Sequence, residues 1–76
     1  MVSACVLVRT ERGRYGDIED RAKQFKGVTR AYAVVGRFDV VVEVEAPTHK
    51  KLGEIINRIG RLAGVVFTET MIAMEV

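Results

Sequence analysis

The run Val2-Ser3-Ala4-Cys5-Val6-Leu7-Val8, closed by Arg9-Thr10-Glu11-Arg12-Gly13, constrains the fold more than any other part of the chain. A β-branched, apolar stretch of this length reads as a strand, and apolar side chains at both parities make it a strand buried on both faces. Such a strand belongs at the centre of a sheet that is covered on two sides. A chain of 76 residues has little material to do the covering. A domain of this size hides only about 60% of the surface its unfolded form exposes, so further burial by association is expected.

Cys5 is the single cysteine and lies inside that run, where it serves as a small core hydrophobe. Disulfides therefore do not supply stability, Cys5 and His49 are too few for a zinc site, and no metal or cofactor is expected. A lone thiol fits a reducing compartment. The start Met1-Val2-Ser3 lacks the basic and apolar regions of a signal peptide, and the apolar runs are far shorter than the roughly 20 residues of a spanning helix. A cytoplasmic protein without membrane contact is expected. Lys and Arg number 12 against 10 Asp and Glu, with the signs mixed along the chain, so charge alone predicts no nucleic-acid surface.

Between Tyr15 and Phe25 the apolar positions Ile18, Ala22 and Phe25 recur at i, i+4 and i+7. Asp17, Glu19 and Asp20 come early, Lys23 and Lys26 late, and Gly27 follows, an order that suits the helix dipole and a glycine C-cap. Val28 to Val35 and Phe38 to Ala46 read as two strands of a hairpin with Gly36-Arg37 at the junction. Pro47 stops the ladder, and Thr48 is placed to cap a second helix from His49 to Arg61, with Leu52, Ile55, Ile56 and Ile59 on one stripe. Gly64 precedes a last strand, Val65 to Glu75.

Strand, helix, strand, strand, helix, strand is the ferredoxin-like α+β arrangement, and residues 1–76 form a single domain of it. Right-handed crossovers put both helices on one face of a four-stranded antiparallel sheet of order 4-1-3-2. The other face is bare yet apolar at both parities in the first and last strands, which predicts a sheet-on-sheet homodimer.

The whole chain resembles the effector-binding and oligomerisation domain, often called RAM, of the Lrp/AsnC (feast/famine) transcription regulators. Four segments carry the resemblance: Ala4-Cys5-Val6-Leu7-Val8, Phe25-Lys26-Gly27-Val28-Thr29-Arg30-Ala31-Tyr32, Val35-Gly36-Arg37-Phe38-Asp39-Val40-Val41-Val42-Glu43-Val44, and Leu62 to Ile72. Gly-x-Phe-Asp with alternating Val, joined to a late Gly-Val-x-x-Thr-x-Thr, is specific in combination. Nothing precedes Met1 where the family carries a helix-turn-helix domain, so the likeness is to stand-alone modules expected not to bind DNA themselves. The resemblance implies dimerisation through the sheets and assembly of dimers into rings such as octamers. It further implies capture of a free amino acid between dimers and co-assembly with full-length Lrp/AsnC regulators.

An amino-acid zwitterion needs a carboxylate near its ammonium and donors near its own carboxylate. Gly36, Arg37, Phe38 and Asp39 put both on one hairpin, with Asp39 as the acceptor, although an Asp there equally holds a turn by accepting backbone N–H groups. Thr68 and Thr70 share a parity and offer hydroxyls to the ligand, while Thr also suits any strand by its branching. Arg37 departs from the family's acidic or small residue and either binds a ligand carboxylate, bridges subunits or sits exposed in the turn. Arg9, Arg12 and Arg14, spread around Glu11, read as a solvated connection. The rival is a small dimeric barrel enzyme, similar to the antibiotic-biosynthesis-type monooxygenases, which needs polar groups such as His49 and Asn57 facing an interior cavity. The ACT domain shares the strand order and ligand class, but the Gly-x-Phe-Asp and Thr-x-Thr pair favours RAM.

Overall fold

The computed structural model describes residues 1–74. In chain order its elements are β1 (Val2–Thr10), α1 (Tyr15–Ala22), β2 (Val28–Ala33), β3 (Val40–Ala46), α2 (His49–Gly60) and β4 (Val65–Ile72). The antiparallel sheet runs β2-β3-β1-β4, which is the expected order read from the other edge. β1 is interior, with Val6 opposite Val42 on one side and Thr70 on the other.

One parity of β1 and β3 supplies most of the core. Val6, Val8, Val40, Val42 and Val44 meet Ile18 and Ala22 of α1 and Leu52 and Ile59 of α2, and none of the nine is more than 1% exposed. Burial of side chains such as Leu52 or Ile59 contributes about 1.5–3 kcal/mol each, and this fixes both helices on one face. Thr48 caps α2 as its position predicts, its hydroxyl accepting the Lys51 amide at 3.1 Å. No described helix is long and apolar enough to cross a membrane.

The ends of the elements differ from the sequence reading. α1 stops at Ala22, because the chain tightens to reach β2: Gln24 and Phe25 donate to the carbonyls of Arg21 and Ala22 at 3.1 and 3.2 Å. Phe25 still packs against the core from that turn. β2 ends at Ala33 and β3 begins at Val40, so residues 34–39 form a longer hairpin loop, closed by the Val34 amide on the Asp39 carbonyl at 2.9 Å. α2 ends at Gly60, and β4 ends at Ile72 with one further ladder bond from Ala73 to Ser3. Glu75 lies outside the described residues.

The opposite parity forms the uncovered face. Cys5, Leu7 and Arg9 lie there opposite Met71, Glu69 and Phe67 of β4, while Glu43 and Val41 of β3 stand beside Arg30 and Tyr32 of β2. Tyr32 donates to the Glu43 carboxylate at 3.3 Å, and the Arg30 guanidinium covers the Tyr32 ring at 4.5 Å. Partial burial, and then the Glu43 charge, push the Cys5 thiol above its ordinary value and disfavour the thiolate.

Candidate functional site

The loop 34–39 is fastened to the end of β1 at three points. The Asp39 amide donates to the Val8 carbonyl at 2.8 Å, extending the ladder by one bond. The Asp39 Oδ2 accepts the Thr10 amide at 2.8 Å and the Thr10 hydroxyl at 3.3 Å. Thr10 is 9% exposed, so this carboxylate satisfies a donor that water reaches poorly. From the uncovered face, Arg9 donates twice to the Arg37 carbonyl, from Nε at 3.2 Å and Nη2 at 3.0 Å.

Phe38 turns to that same face. Its ring stacks on Phe67 with centroids 6.4 Å apart and planes 20° from parallel, and the Arg9 guanidinium lies 5.9 Å from the Phe38 centroid. Gly36 sits at the tip, where a Cβ would meet no atom within 4 Å, and Val35 beside it is fully exposed. A cleft of about 500 Å³ opens on the loop's flank, lined by Tyr15 from the start of α1 and by Ala33, Val34, Val35, Gly36 and Asp39. It combines one acidic residue and a tyrosine with apolar residues, a lining that suits a small molecule with an ammonium and an apolar body. Of the two Asp39 carboxylate oxygens, Oδ2 is the one that accepts from Thr10.

The family model for the Lrp/AsnC ligand binding domain matches residues 3–76. The chain belongs to this family. Among curated relatives, the HTH-type transcriptional regulator FL11 of Pyrococcus furiosus is 24% identical over 75 residues, which cover 99% of this chain and 50% of FL11. The chain thus spans about half the length of the curated relatives it matches. Among solved structures, TTHA0845 from Thermus thermophilus superposes with a TM-score of 0.93 at 28% identity, covering 100% of this chain and 96% of that one. Hypothetical protein PHS023 from Pyrococcus horikoshii gives 0.91 at 33% identity, over 99% and 92%.

In this Lrp/AsnC ligand-binding domain the residues expected to meet a ligand fall into two groups. Gly36, Arg37, Phe38 and Asp39 are together in the loop, with Gly36 and Asp39 lining the cleft. Thr68 and Thr70 stand across β1 from it, paired with Val8 and Val6 and therefore on the helix-side face of β4. Two strand spacings of about 4.8 Å each separate β4 from the hairpin strand. Arg9, Thr10, Tyr15 and Phe67 are contributions that the sequence reading did not assign. Arg9 is exposed, as the sequence suggests, but it belongs to β1 and not to the connection: the strand extends to Thr10 and carries Arg9 onto the uncovered face beside Phe38. The alternation Cys5, Leu7, Arg9 held that signal. Arg14 also does more than meet solvent, joining Asp17 at 3.1 Å and the Ala63 carbonyl at 3.4 Å. His49 and Asn57, the polar groups that the enzyme reading requires inside a cavity, are both exposed on α2.

Proposed function

We propose that this domain is a non-catalytic, cytoplasmic sensor module that takes a free amino acid at the 34–39 hairpin and changes its assembly in response. The observation that carries this reading is the cleft that Asp39 lines together with Ala33, Val34 and Val35, beside the open tip at Val35 and Gly36. The ligand ammonium meets Asp39, its carboxylate meets backbone donors of the loop or Arg37, and Thr68 and Thr70 approach it from a neighbouring subunit. A fully exposed valine at the loop tip suits closure of the site by that neighbour.

The uncovered sheet face is the dimer surface. It presents Phe67 and Met71, each about half exposed, together with charges of both signs, Arg9 and Arg30 against Glu43 and Glu69. A two-fold contact requires such self-complementarity. Dimers then assemble into rings such as octamers, and mixed assembly with full-length Lrp/AsnC regulators changes DNA-binding valency without a DNA contact from this chain. A ligand that differs in affinity between assembly states suffices to switch them.

Native mass spectrometry with and without the twenty amino acids tests this. Assemblies of dimers that carry an amino-acid mass are expected. Dimers that ignore every amino acid overturn the effector reading, and a monomer at micromolar concentration overturns the dimer surface.

A further inference from the structure

Arg9 is the residue in which the two proposed surfaces meet. Its side chain lies on the uncovered sheet face, opposite Phe67 in the β1–β4 register. From there it holds the Arg37 carbonyl through two donors at 3.2 and 3.0 Å and rests 5.9 Å from the centre of the Phe38 ring. Phe38 continues the stack onto Phe67 across the end of β1. The loop between Gly36 and Asp39 is thus held at two places, by Arg9 at the Arg37 carbonyl and by Thr10 at the Asp39 carboxylate.

We propose that Arg9 is a positioning residue that couples dimerisation to the effector hairpin; this rests on the assignment of the hairpin and the sheet face given above. In the free subunit Arg9 is exposed, so water competes for its two bonds and the grip on Arg37 is weak. A second copy seated on the sheet removes that water and strengthens the charge-assisted bonds and the contact with the aromatic ring. The hairpin is then held in one arrangement, which is the arrangement that lines the cleft. By linkage, a ligand that favours this arrangement favours the dimer by the same factor. A lysine reaches the same carbonyl with a single point donor and cannot make the paired contact.

The test compares the wild-type chain with Arg9→Gln and Arg9→Lys. Three quantities are read: exchange of the Val34 and Asp39 amides, the dimer dissociation constant by sedimentation, and amino-acid affinity by calorimetry. Both amides are bonded in the closed hairpin, Val34 to the Asp39 carbonyl and Asp39 to the Val8 carbonyl, so their exchange reports its order directly. In Arg9→Gln, exchange of both amides is expected to speed up and the dimer to weaken about tenfold, the size of losing charge-assisted bonds. Arg9→Lys is expected to recover part of each. Adding an amino acid tightens the wild-type dimer and leaves the Arg9→Gln dimer unchanged. Unaltered exchange and dimer affinity in Arg9→Gln overturn the proposal. If the wild-type chain binds no amino acid, the effector reading falls, and the positioning role is still decided by exchange and sedimentation.

Discussion

The Asp39 carboxylate caps the end of β1 by accepting both the backbone amide and the hydroxyl of Thr10. One oxygen therefore builds the loop, and the residue is structural as well as a candidate ligand contact. Asp39→Ala leaves the nearly buried Thr10 amide unsatisfied, at a cost of about 1–3 kcal/mol. For a domain of this size each kcal/mol lowers the melting temperature by about 4–8 °C. Asp39→Asn keeps an acceptor toward Thr10 and removes the charge. The alanine variant is expected to melt well below wild type, the asparagine variant close to it, and both to lose amino-acid binding in calorimetry. An alanine variant as stable as wild type would show that the cap is dispensable.

Met71 lies half exposed on the open face, opposite Cys5 and on the same strand face as Glu69. Met71→Glu adds a carboxylate there, near Glu43 across Cys5. In a single subunit the new charge stays hydrated, but in a sheet-on-sheet dimer it is buried without a partner, which costs several kcal/mol. Sedimentation is expected to show a monomer, with helical circular dichroism retained. A dimer of unchanged affinity would place the interface elsewhere.

Gly27 has φ +101°, and a Cβ there would stand 2.6 Å from Ile55 Cδ1 and 2.9 Å from the Glu45 carbonyl oxygen. The isoleucine terminus can rotate away, but the carbonyl is fixed by the bond from the Glu45 amide to the Gly27 carbonyl at 2.8 Å. Gly27→Ala therefore adds backbone strain of about 1–3 kcal/mol to a steric clash. Urea unfolding is expected at a clearly lower midpoint with an unchanged slope.

Asp17 accepts from Arg14 at 3.1 Å and from Arg21 at 3.4 Å. The Arg14 hydrogen bond, with the charges of both arginines, holds its carboxyl below the ordinary carboxylate value. A depressed value in the folded state means stabilisation that is present above the ordinary pKa and lost as pH falls through the folded one. The group is exposed, so the effect is small. Asp17→Asn is expected to be slightly less stable than wild type at pH 7, with the two unfolding curves converging in acid. A constant gap across that range would assign the difference to something other than ionisation.

The sequence showed the sheet more clearly than the loop. Ile18, Ala22, Leu52 and Ile59 all fall on predicted helix stripes and are all buried, because a helix beside a sheet has one apolar face to hide. Element ends were less legible. Phe25 fits the helical period, yet the chain leaves α1 before it, since the geometry of entry into β2 outweighs three residues of periodicity. Thr68 and Thr70 were read correctly as sharing a parity, but parity does not say which face, and pairing with Val8 and Val6 puts them on the helix side.

From the sequence alone, hydrophobic period determined the six elements, their order and the interior place of β1, because burial must match a period of 2 or 3.6 along the chain. The family motif likewise marked Gly36 to Asp39. Only the tertiary structure decided what those residues touch. Arg9 and Arg37 are 28 positions apart and Asp39 and Thr10 are 29 apart, so no local pattern records either contact. Strand pairing brings them together, and the hydrogen bonds that hold the hairpin exist only once β1 lies beside β3.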